Sequence, residues 1–391
     1  MAKSVLALIN PAMLVWARES AHLTPEAAAH SAGIPAEKLT ACEESKAQLT
    51  FAQLMKIAQA YKRPVSLFYL KTPPAGWTPI KDFRRVRDAE GGFSPRLTYA
   101  IRLARERREL ALSLREELNE PVQQFRLSAT VRADIEDLGN RIRTFLGISD
   151  AQQQRWGRRA FDGWRIAMEA KDILVFVVPR LPIDEMRGIA VAEAQMPLIL
   201  VNARDRTNGR TFTLLHEFCH LVVRQSGVSG IGGDSDDAPS ATVETFCNAV
   251  AAATLMPKDW ILSEVLVVRK GATKTWSDDE LDALALRFGV SPEAVLRRLL
   301  TLGRTNKTFY EGKRPAFMKR YEDLSEETSS GGPAYHLQVL SQLGRAFTRL
   351  IFQGYYERRL TLRDVSQHLN MQVKYVPAME SAAFGFKSSA A

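Results

Sequence analysis

A His-Glu-Phe-Cys-His run is the part of the sequence best suited to chemistry. His216 and His220 are four residues apart, so on a helix both imidazoles project from one face, one turn apart. This spacing lets two ring nitrogens bind one zinc ion at about 2.0–2.1 Å, and Glu217 is then placed to take a proton from a water on the metal. The run predicts metal-assisted hydrolysis, with His216 and His220 as ligands and Glu217 as the general base.

The context of this run supports a metal site. The chain has only six histidines among 391 residues, so the pattern arises by chance in fewer than about one such chain in a hundred. The residues around it are apolar and predict a buried helix: Phe212, Leu214, Leu215, Leu221, Val222 and Val223. Buried histidines and a buried carboxylate need a partner, which a metal supplies. The alternative is a pair of core histidines that bond to each other.

A catalytic zinc needs a third protein ligand besides water. The other histidines all lie in the terminal segments, so we expect a carboxylate: His22, His30, His336 and His368. The best candidate is Glu244, in a predicted helix that is otherwise almost wholly apolar. Asn248, four residues later, either orients a ligand or bonds a neighbouring backbone group. The competing carboxylates lie in a Gly-rich loop, which is a poor place for a rigid ligand: Asp234, Asp236 and Asp237.

Cysteine content and composition limit the class of protein. The chain has three cysteines, too few for a disulfide scaffold, so a reducing compartment fits best. We expect Cys219 and Cys247 to pack as small core residues rather than to bind zinc. Hydrophobic residues make up 46% of the chain and charged residues 25%, which excludes global disorder. Asn10-Pro11 interrupts the N-terminal apolar run, so we expect an intact N-terminus and a cytoplasmic protein.

A mixed α/β region, residues 127–310, is predicted to position these side chains. Helices are expected over 131–146 and 151–170, followed by short apolar strands over 173–178 and 198–202. Helices over 211–224 and 242–255 then carry His216 and Glu244. The strand over 198–202 is either a sheet edge that could hold an extended substrate by strand addition or an ordinary interior strand.

The first 70 residues predict a string of short helices. Helix starts are indicated at Asn10-Pro11, Thr24-Pro25, Ile34-Pro35 and the capping-box sequence from Thr50 to Gln53. The order resembles the five-helix repressor domains of phage-repressor (XRE) type, with Gly33 in the turn of a helix-turn-helix pair. In such domains the helix after the turn enters the DNA major groove. This segment has only seven basic residues against five acidic ones, so DNA contact and protein docking both stay open.

The central sequence resembles the ImmA/IrrE family of zinc metallopeptidases. The resemblance rests on PLILVNARDRTNGRTFTLLHEFCHLVV, followed by VETFCNAVAAATLMP, together with Phe83-Arg84, Trp164 and Arg187-Gly188. It implies a zincin-like fold in which His216, His220 and Glu244 hold zinc and Glu217 is the general base. It also implies that the substrate is a repressor protein whose cleavage relieves transcriptional repression. Other members of the family are encoded beside toxins and resemble antitoxins.

The net charge of +9 is concentrated near the end of the α/β region. One stretch has eight basic residues and a single acid, Glu311: Arg297, Arg298, Arg304, Lys307, Lys313, Arg314, Lys319 and Arg320. Aromatic residues are interleaved, a combination that suits single-stranded nucleic acid. An acidic protein partner is the second possibility. A solvated connector whose aromatics pack on the α/β region is the third.

The last segment is predicted to be helical. Residues 335–356 suggest one amphipathic helix, and residues 360–373 resemble a second helix-turn-helix pair with Asn370 in the turn. The alternative is a helical subdomain that caps the α/β region. We therefore predict an α+β chain with a helix-turn-helix domain (1–70), a linker and connecting helix (71–126), a metallopeptidase domain (127–310) and a basic helical region (311–391).

Two functions follow from these patterns. The first is a zinc-dependent endopeptidase that cleaves a repressor-type protein. The second is an antitoxin or transcriptional regulator that binds a toxin or DNA and whose zinc site is structural or idle. The intact Glu217 favours the enzyme, because a structural site needs no general base.

Overall fold

The computed structural model describes residues 5–73, 81–82, 93–205, 207–224, 227–229, 239–326 and 333–385. The chain divides into two compact units, residues 1–79 with 86–103 and residues 80–85 with 104–391. The described residues are mostly helical with one small sheet, which agrees with the predicted α+β class. The four-part domain division stays a prediction. No described helix is long and apolar enough to cross a membrane.

Short helices build the first unit, and three of them have side-chain caps. They are α1 (Pro11–Glu19), α2 (Pro25–Ala32), α3 (Ala36–Glu43) and α4 (Phe51–Ala60), followed by a 3₁₀ helix at Val65–Tyr69. The side chains of Asn10 and Thr24 accept bonds from backbone N–H groups in the first turns of α1 and α2, and Thr50 and Gln53 form a reciprocal capping box. The predicted helix starts are thus confirmed, three of them by a local side-chain cap, whereas α3 begins after Pro35 without one. The use of α2 and α3 as a helix-turn-helix stays a prediction.

A buried ion pair joins α1 to α3. The Nε atom of Arg18 donates to Oε1 of Glu43 at 2.8 Å, and an Nη atom donates to Oε2 at 3.0 Å. The two side chains are only 12% and 8% exposed. The hydrogen bond that Arg18 donates to Glu43 outweighs burial and raises the pKa of Arg18. Glu43 is therefore bound within the first unit, whereas Glu37 on α3 and Glu44 directly after it are exposed.

The second unit contains the remaining helices. Helix α5 (Pro95–Glu117) begins in the first unit and ends in the second. It is followed by α6 (Ile135–Leu146), α7 (Asp150–Trp156), α8 (Ala160–Glu169), α9 (Thr207–Val222), α10 (Pro239–Leu255), α11 (Lys258–Ser263), α12 (Val265–Lys270), α13 (Asp278–Phe288), α14 (Pro292–Thr301), α15 (Lys307–Glu326), α16 (Tyr335–Leu343), α17 (Arg345–Tyr356), α18 (Leu362–His368) and α19 (Val376–Phe384).

Two long helices predicted from the sequence are broken at glycines. The prediction over 151–170 was wrong, because Gly157 ends α7 with a φ of +48° and a short 3₁₀ turn precedes α8. The prediction over 335–356 was also wrong, because Gly344 separates α16 from α17 with a φ of +82°. Both φ values lie in a region that favours glycine and that no right-handed helix uses. The helix predicted from residue 131 begins at Ile135, after the cap residue Asp134.

A five-stranded sheet lies in the second unit, in the order β1-β5-β3-β4-β2. The strands are β1 (Lys81–Asp82), β2 (Leu174–Val178), β3 (Gly188–Val191), β4 (Leu198–Asn202) and β5 (Gly227–Ser229). Strand β3 is antiparallel to β4 and β5, whereas β2 is parallel to β4 and β1 to β5. Strand β4 therefore has a partner on each side, so the sheet-edge alternative for residues 198–202 is wrong. An extended substrate cannot add to this strand.

Helices cover both faces of the sheet at β2. Val175 and Val177 belong to the core that also includes residues of α8 and α9. Successive side chains of a strand point to opposite faces, and Phe176 makes an edge-on contact with Phe347 of α17 at 5.6 Å between ring centroids. Helix α16 also packs on β2. The C-terminal helices are therefore a layer of the second unit.

A buried ion pair on α8 bonds both to β2 and to the C-terminal helices. Arg165 and Glu169 bond at 2.8 Å, and each side chain is 6% exposed. Arg165 also donates to the carbonyl oxygens of Val175 and Ser341, and Glu169 accepts from the backbone N–H of Ala346 at 3.1 Å. Gly344 lies so close that an added Cβ would be 2.2 Å from Oε1 of Glu169. This contact explains the break between α16 and α17.

Candidate metal centre

Helix α9 holds His216, Glu217 and His220 in the core of the second unit. Their exposed fractions are 6%, 0% and 2%. The helix packs against β3, β4, α8 and α10. Phe218 is buried, as are four of the six apolar residues predicted to be buried: Leu214, Leu215, Leu221 and Val222. The other two, Phe212 and Val223, are half-buried. One buried polar contact also lies on this helix, where Thr213 donates to Oδ2 of Asp205 at 3.0 Å. The side chains suited to chemistry are therefore held on a rigid, packed element.

Glu244 on α10 meets both histidines of α9. Its Oε2 atom lies 3.1 Å from Nε2 of His216, and its Oε1 atom lies 3.1 Å from Nε2 of His220. The two Nε2 atoms are themselves 3.1 Å apart. The structure thus brings together the three residues that the sequence proposed as ligands.

The protonation of these three groups reflects their burial and their mutual contacts. Burial lowers the pKa of His216, but the hydrogen bond with Glu244 and the charges of Glu217 and Glu244 outweigh it and raise the pKa to about 9. Burial, aided by the charge of His216, lowers the pKa of His220. Burial alone would raise the pKa of Glu244, but the hydrogen bonds with the two histidines hold it well below its usual range. A cation in this cluster would replace the proton on His216.

The donor set fits a metal ion. Zinc bonded at about 2.0–2.1 Å in a tetrahedron separates its ligand atoms by about 3.3 Å, and the 3.1 Å separations found here need only a small outward adjustment. Two imidazoles and a carboxylate suit a borderline metal such as zinc. In the described part of the chain, His216, His220 and Glu244 are the one group of His, Cys, Asp or Glu side chains placed to hold a metal.

Glu217 lies directly against the backbone of β3. A Cβ atom added to Gly188 would be 2.4 Å from Oε1 of Glu217, 2.6 Å from its Cγ and 2.7 Å from its Cδ. Glu217 is adjacent to His216 in the chain and fully buried. Its carboxylate therefore occupies a fixed place between the strand and the helix that carries both histidines.

The structure also gives the positions of other residues that the sequence places near the metal. Asn248 is half-buried on α10, one turn after Glu244, and its role as an orienting residue stays a prediction. Cys219 and Cys247 are free and fully buried, which confirms them as core residues. Burial and the contact with Cys219 raise the pKa of Cys247, so its thiol is neutral. The competing carboxylates Asp234, Asp236 and Asp237 lie outside the described residues, and so does the pair Phe83-Arg84.

The basic stretch spans α14, the turn that follows it and α15, and many of its charges have partners. Arg298 is buried and bonds Glu136 at 2.7 Å, while Lys313 bonds Asp278 at 2.8 Å and Arg320 bonds Asp282 at 2.9 Å. Lys307 lies 3.7 Å from Glu311, and Arg304 donates to the carbonyl oxygen of Val267. The remaining members are Arg297, on α14, and the exposed Arg314 and Lys319.

The aromatic residues of this stretch also face inward. Phe317 is buried, and Phe309 and Tyr310 pack against the core of the second unit. Side chains packed in this way are not displayed for stacking on bases. The positions of charges and aromatics favour the connector interpretation, and nucleic-acid binding stays a prediction.

Sequence reasoning missed one residue that shapes the centre. The Nδ2 atom of Asn202, at the end of β4, donates to the carbonyl oxygens of Leu181, Pro182 and Met186 at 3.3, 3.2 and 2.7 Å. These bonds fix the loop that leads into β3 and hence fix Gly188. The available signal was a polar residue at the end of a wholly apolar strand, where a buried amide must find partners.

The comparison with protein families agrees with this geometry. Residues 169–300 match the family model Peptidase_M78, the IrrE N-terminal-like domain, and this span contains all four residues of the centre. Among curated proteins, none matches the chain. The family match points to a metallopeptidase with a metal cofactor. It supports the resemblance to the ImmA/IrrE family for this third of the chain, and residues 169–300 are therefore similar to the IrrE N-terminal-like domain.

Proposed function

We propose that this protein is a zinc-dependent endopeptidase that cleaves a repressor-type protein and so relieves transcriptional repression. The observation that carries the proposal is the meeting of His216, His220 and Glu244 on two buried helices, with Glu217 adjacent in the chain. A purely structural metal site needs a closed set of ligands and no neighbouring base. Here a second acidic residue, Glu217, is held beside the ligands, which favours catalysis.

The role of each residue follows from the chemistry of its side chain. His216, His220 and Glu244 would hold the ion, and bound zinc would lower the pKa of water and polarise the peptide carbonyl. Glu217 would take a proton from the attacking water and then pass it to the amine that leaves. Its burial against β3 suits this task, because the carboxylate has little freedom to turn away.

The choice of substrate rests on the family resemblance. Repressor proteins are the known substrates of the ImmA/IrrE family, and residues 169–300 match its IrrE N-terminal-like domain. The substrate would not bind by pairing with β4, since that strand is flanked by β3 and β2.

The test is cleavage of repressor-type proteins encoded near this gene by the zinc-loaded full-length chain. We expect one or a few defined products, whose new N-termini are identified by mass spectrometry. Glu217→Gln keeps the shape of the side chain but removes the base, so it should lower the rate by about 10²–10⁴-fold while zinc content stays unchanged. If wild type and Glu217→Gln both leave every candidate intact, the peptidase proposal fails and a binding role with an idle metal site takes its place.

A further inference from the structure

We propose that Gly188 is the positioning residue for Glu217. Because this residue of β3 has no side chain, the carboxylate can lie directly against the backbone of the strand. This inference rests on the proposed function, since it concerns the general base of that reaction. The supporting contact is steric. A Cβ at residue 188 would come within 2.4–2.7 Å of three atoms of Glu217, far inside ordinary van der Waals contact.

The strand cannot move away to make room. Gly188 pairs with Val201 on one side and with Ser229 on the other, so β3 is held by two neighbouring strands. The loop before it is fastened by the amide of Asn202, whose shortest bond, to the carbonyl oxygen of Met186, is 2.7 Å. The backbone N–H of Asn202 also donates to the carbonyl oxygen of Arg187 at 2.9 Å.

The side chain of Glu217 must therefore be the part that moves. Gly188 has no positive φ, so its backbone conformation is open to alanine and the substitution brings no strain of that kind. The atoms that an added methyl would meet belong to a side chain with rotatable bonds rather than to backbone. The fold and the metal ligands should tolerate Gly188→Ala, whereas the carboxylate should be displaced from its place beside the ligands.

Gly188→Ala is the test, and Gly312→Ala is the matched control. A Cβ at Gly312, on α15, would meet nothing within 4 Å. We expect both variants to bind one zinc with unchanged affinity. Gly188→Ala should unfold near the wild-type temperature, and Gly312→Ala at or slightly above it, because alanine favours a helix more than glycine does. In cleavage of the repressor substrate, Gly188→Ala should lower kcat by at least about 100-fold with KM unchanged, which is the scale of losing a general base. Gly312→Ala should match wild type.

A second variant separates positioning from a merely structural role. Aspartate at residue 217 is one methylene shorter and withdraws from the space that the new methyl takes. The double variant Gly188→Ala/Glu217→Asp should therefore have the same kcat as Glu217→Asp alone, a non-additivity that marks direct contact. If Gly188→Ala failed to fold with Glu217 present, recovery of folding in the double variant would show the same contact.

Crystal structures of the zinc-loaded wild type and Gly188→Ala provide a readout that needs no substrate. We expect the Glu217 carboxylate to shift by about 1 Å or more, while His216, His220 and Glu244 stay in place. An unmoved carboxylate, wild-type kcat in Gly188→Ala, or additive effects in the double variant would overturn the inference. If wild type cleaves no candidate, the proposed function fails, and the two crystal structures still decide whether Gly188 positions Glu217.

Discussion

The Oε2 atom of Glu244 lies 3.1 Å from the Nε2 atom of His216, so α9 and α10 meet at a pair of potential metal ligands. Helix α10 has no other charged side chain, and α9 buries His216, Glu217 and His220 in the core. A carboxylate is costly to bury without a partner. The position of Glu244 is thus explained by the imidazoles that it meets.

Loss of this carboxylate should abolish tight metal binding. We expect Glu244→Gln to weaken zinc affinity by more than the roughly 10–100-fold typical of changes to groups that only orient a ligand, because a neutral amide is a poor zinc ligand. Metal analysis after dialysis against a mild chelator measures the effect. Thr245→Ala, an exposed neighbour on the same helix, should keep one zinc per chain. Full zinc content in Glu244→Gln would exclude Glu244 as the third ligand.

Metal removal should destabilise the second unit. A ligand that binds only the folded chain adds about 2.7 kcal/mol when present at 100 times its Kd, which is a Tm change of several degrees for a protein of this size. Scanning calorimetry with and without chelator measures it, and added zinc should restore the original Tm. In a His216→Ala/His220→Ala variant the chelator should have no effect. A Tm that is independent of zinc in wild type would contradict binding at these buried residues.

The buried pair on α8 should be important for the stability of the second unit. We expect Glu169→Gln to lower the free energy of unfolding by about 3 kcal/mol, because it leaves the buried guanidinium of Arg165 without its counter-charge. Urea denaturation measures the change. Glu357→Gln, an exposed carboxylate at the end of α17, is the control and should change stability by less than about 0.5 kcal/mol. Equal values for the two variants would show that the pair contributes no net stability.

A similar prediction about stability follows for the first unit from the pair formed by Arg18 and Glu43. Glu43→Ala should lower the free energy of unfolding by about 1.5–3 kcal/mol, the usual range for hydrogen bonds to a charged partner, because these bonds are partly buried. Glu37→Ala, on the exposed side of the same helix, should be nearly neutral. Hydrogen exchange of amides in α1 and α3 localises the effect to this unit. Unchanged protection in Glu43→Ala would contradict the structural role of this carboxylate.

Features set by local chemistry could be predicted from the sequence. Asn10, Thr24 and Thr50 mark helix starts because a cap acts within one turn. His216 and His220 meet because four residues is one helical turn, and the structure places their Nε2 atoms 3.1 Å apart. Glu244 could be inferred because a lone acid on an apolar helix requires a buried partner.

Features set by distant contacts could not be predicted. The break at Gly344 depends on Arg165 and Glu169, which are far away in sequence. The interior position of β4 depends on which strands pair, and short apolar strands carry no information on their order. The importance of Gly188 appears only when β3 and α9 are seen to touch, because a single glycine in a strand has many possible reasons.

The contact between Phe176 and Phe347 limits where this protein can be divided. The segment that resembles a known domain ends at residue 300, yet β2 within that segment presents one face to helices that begin at Tyr335. A chain shortened to end at residue 300 would expose to water the apolar face of β2 that these helices cover. The region that matches the family model is therefore not a transferable module, and its smallest stable form includes the helices from Tyr335 onward.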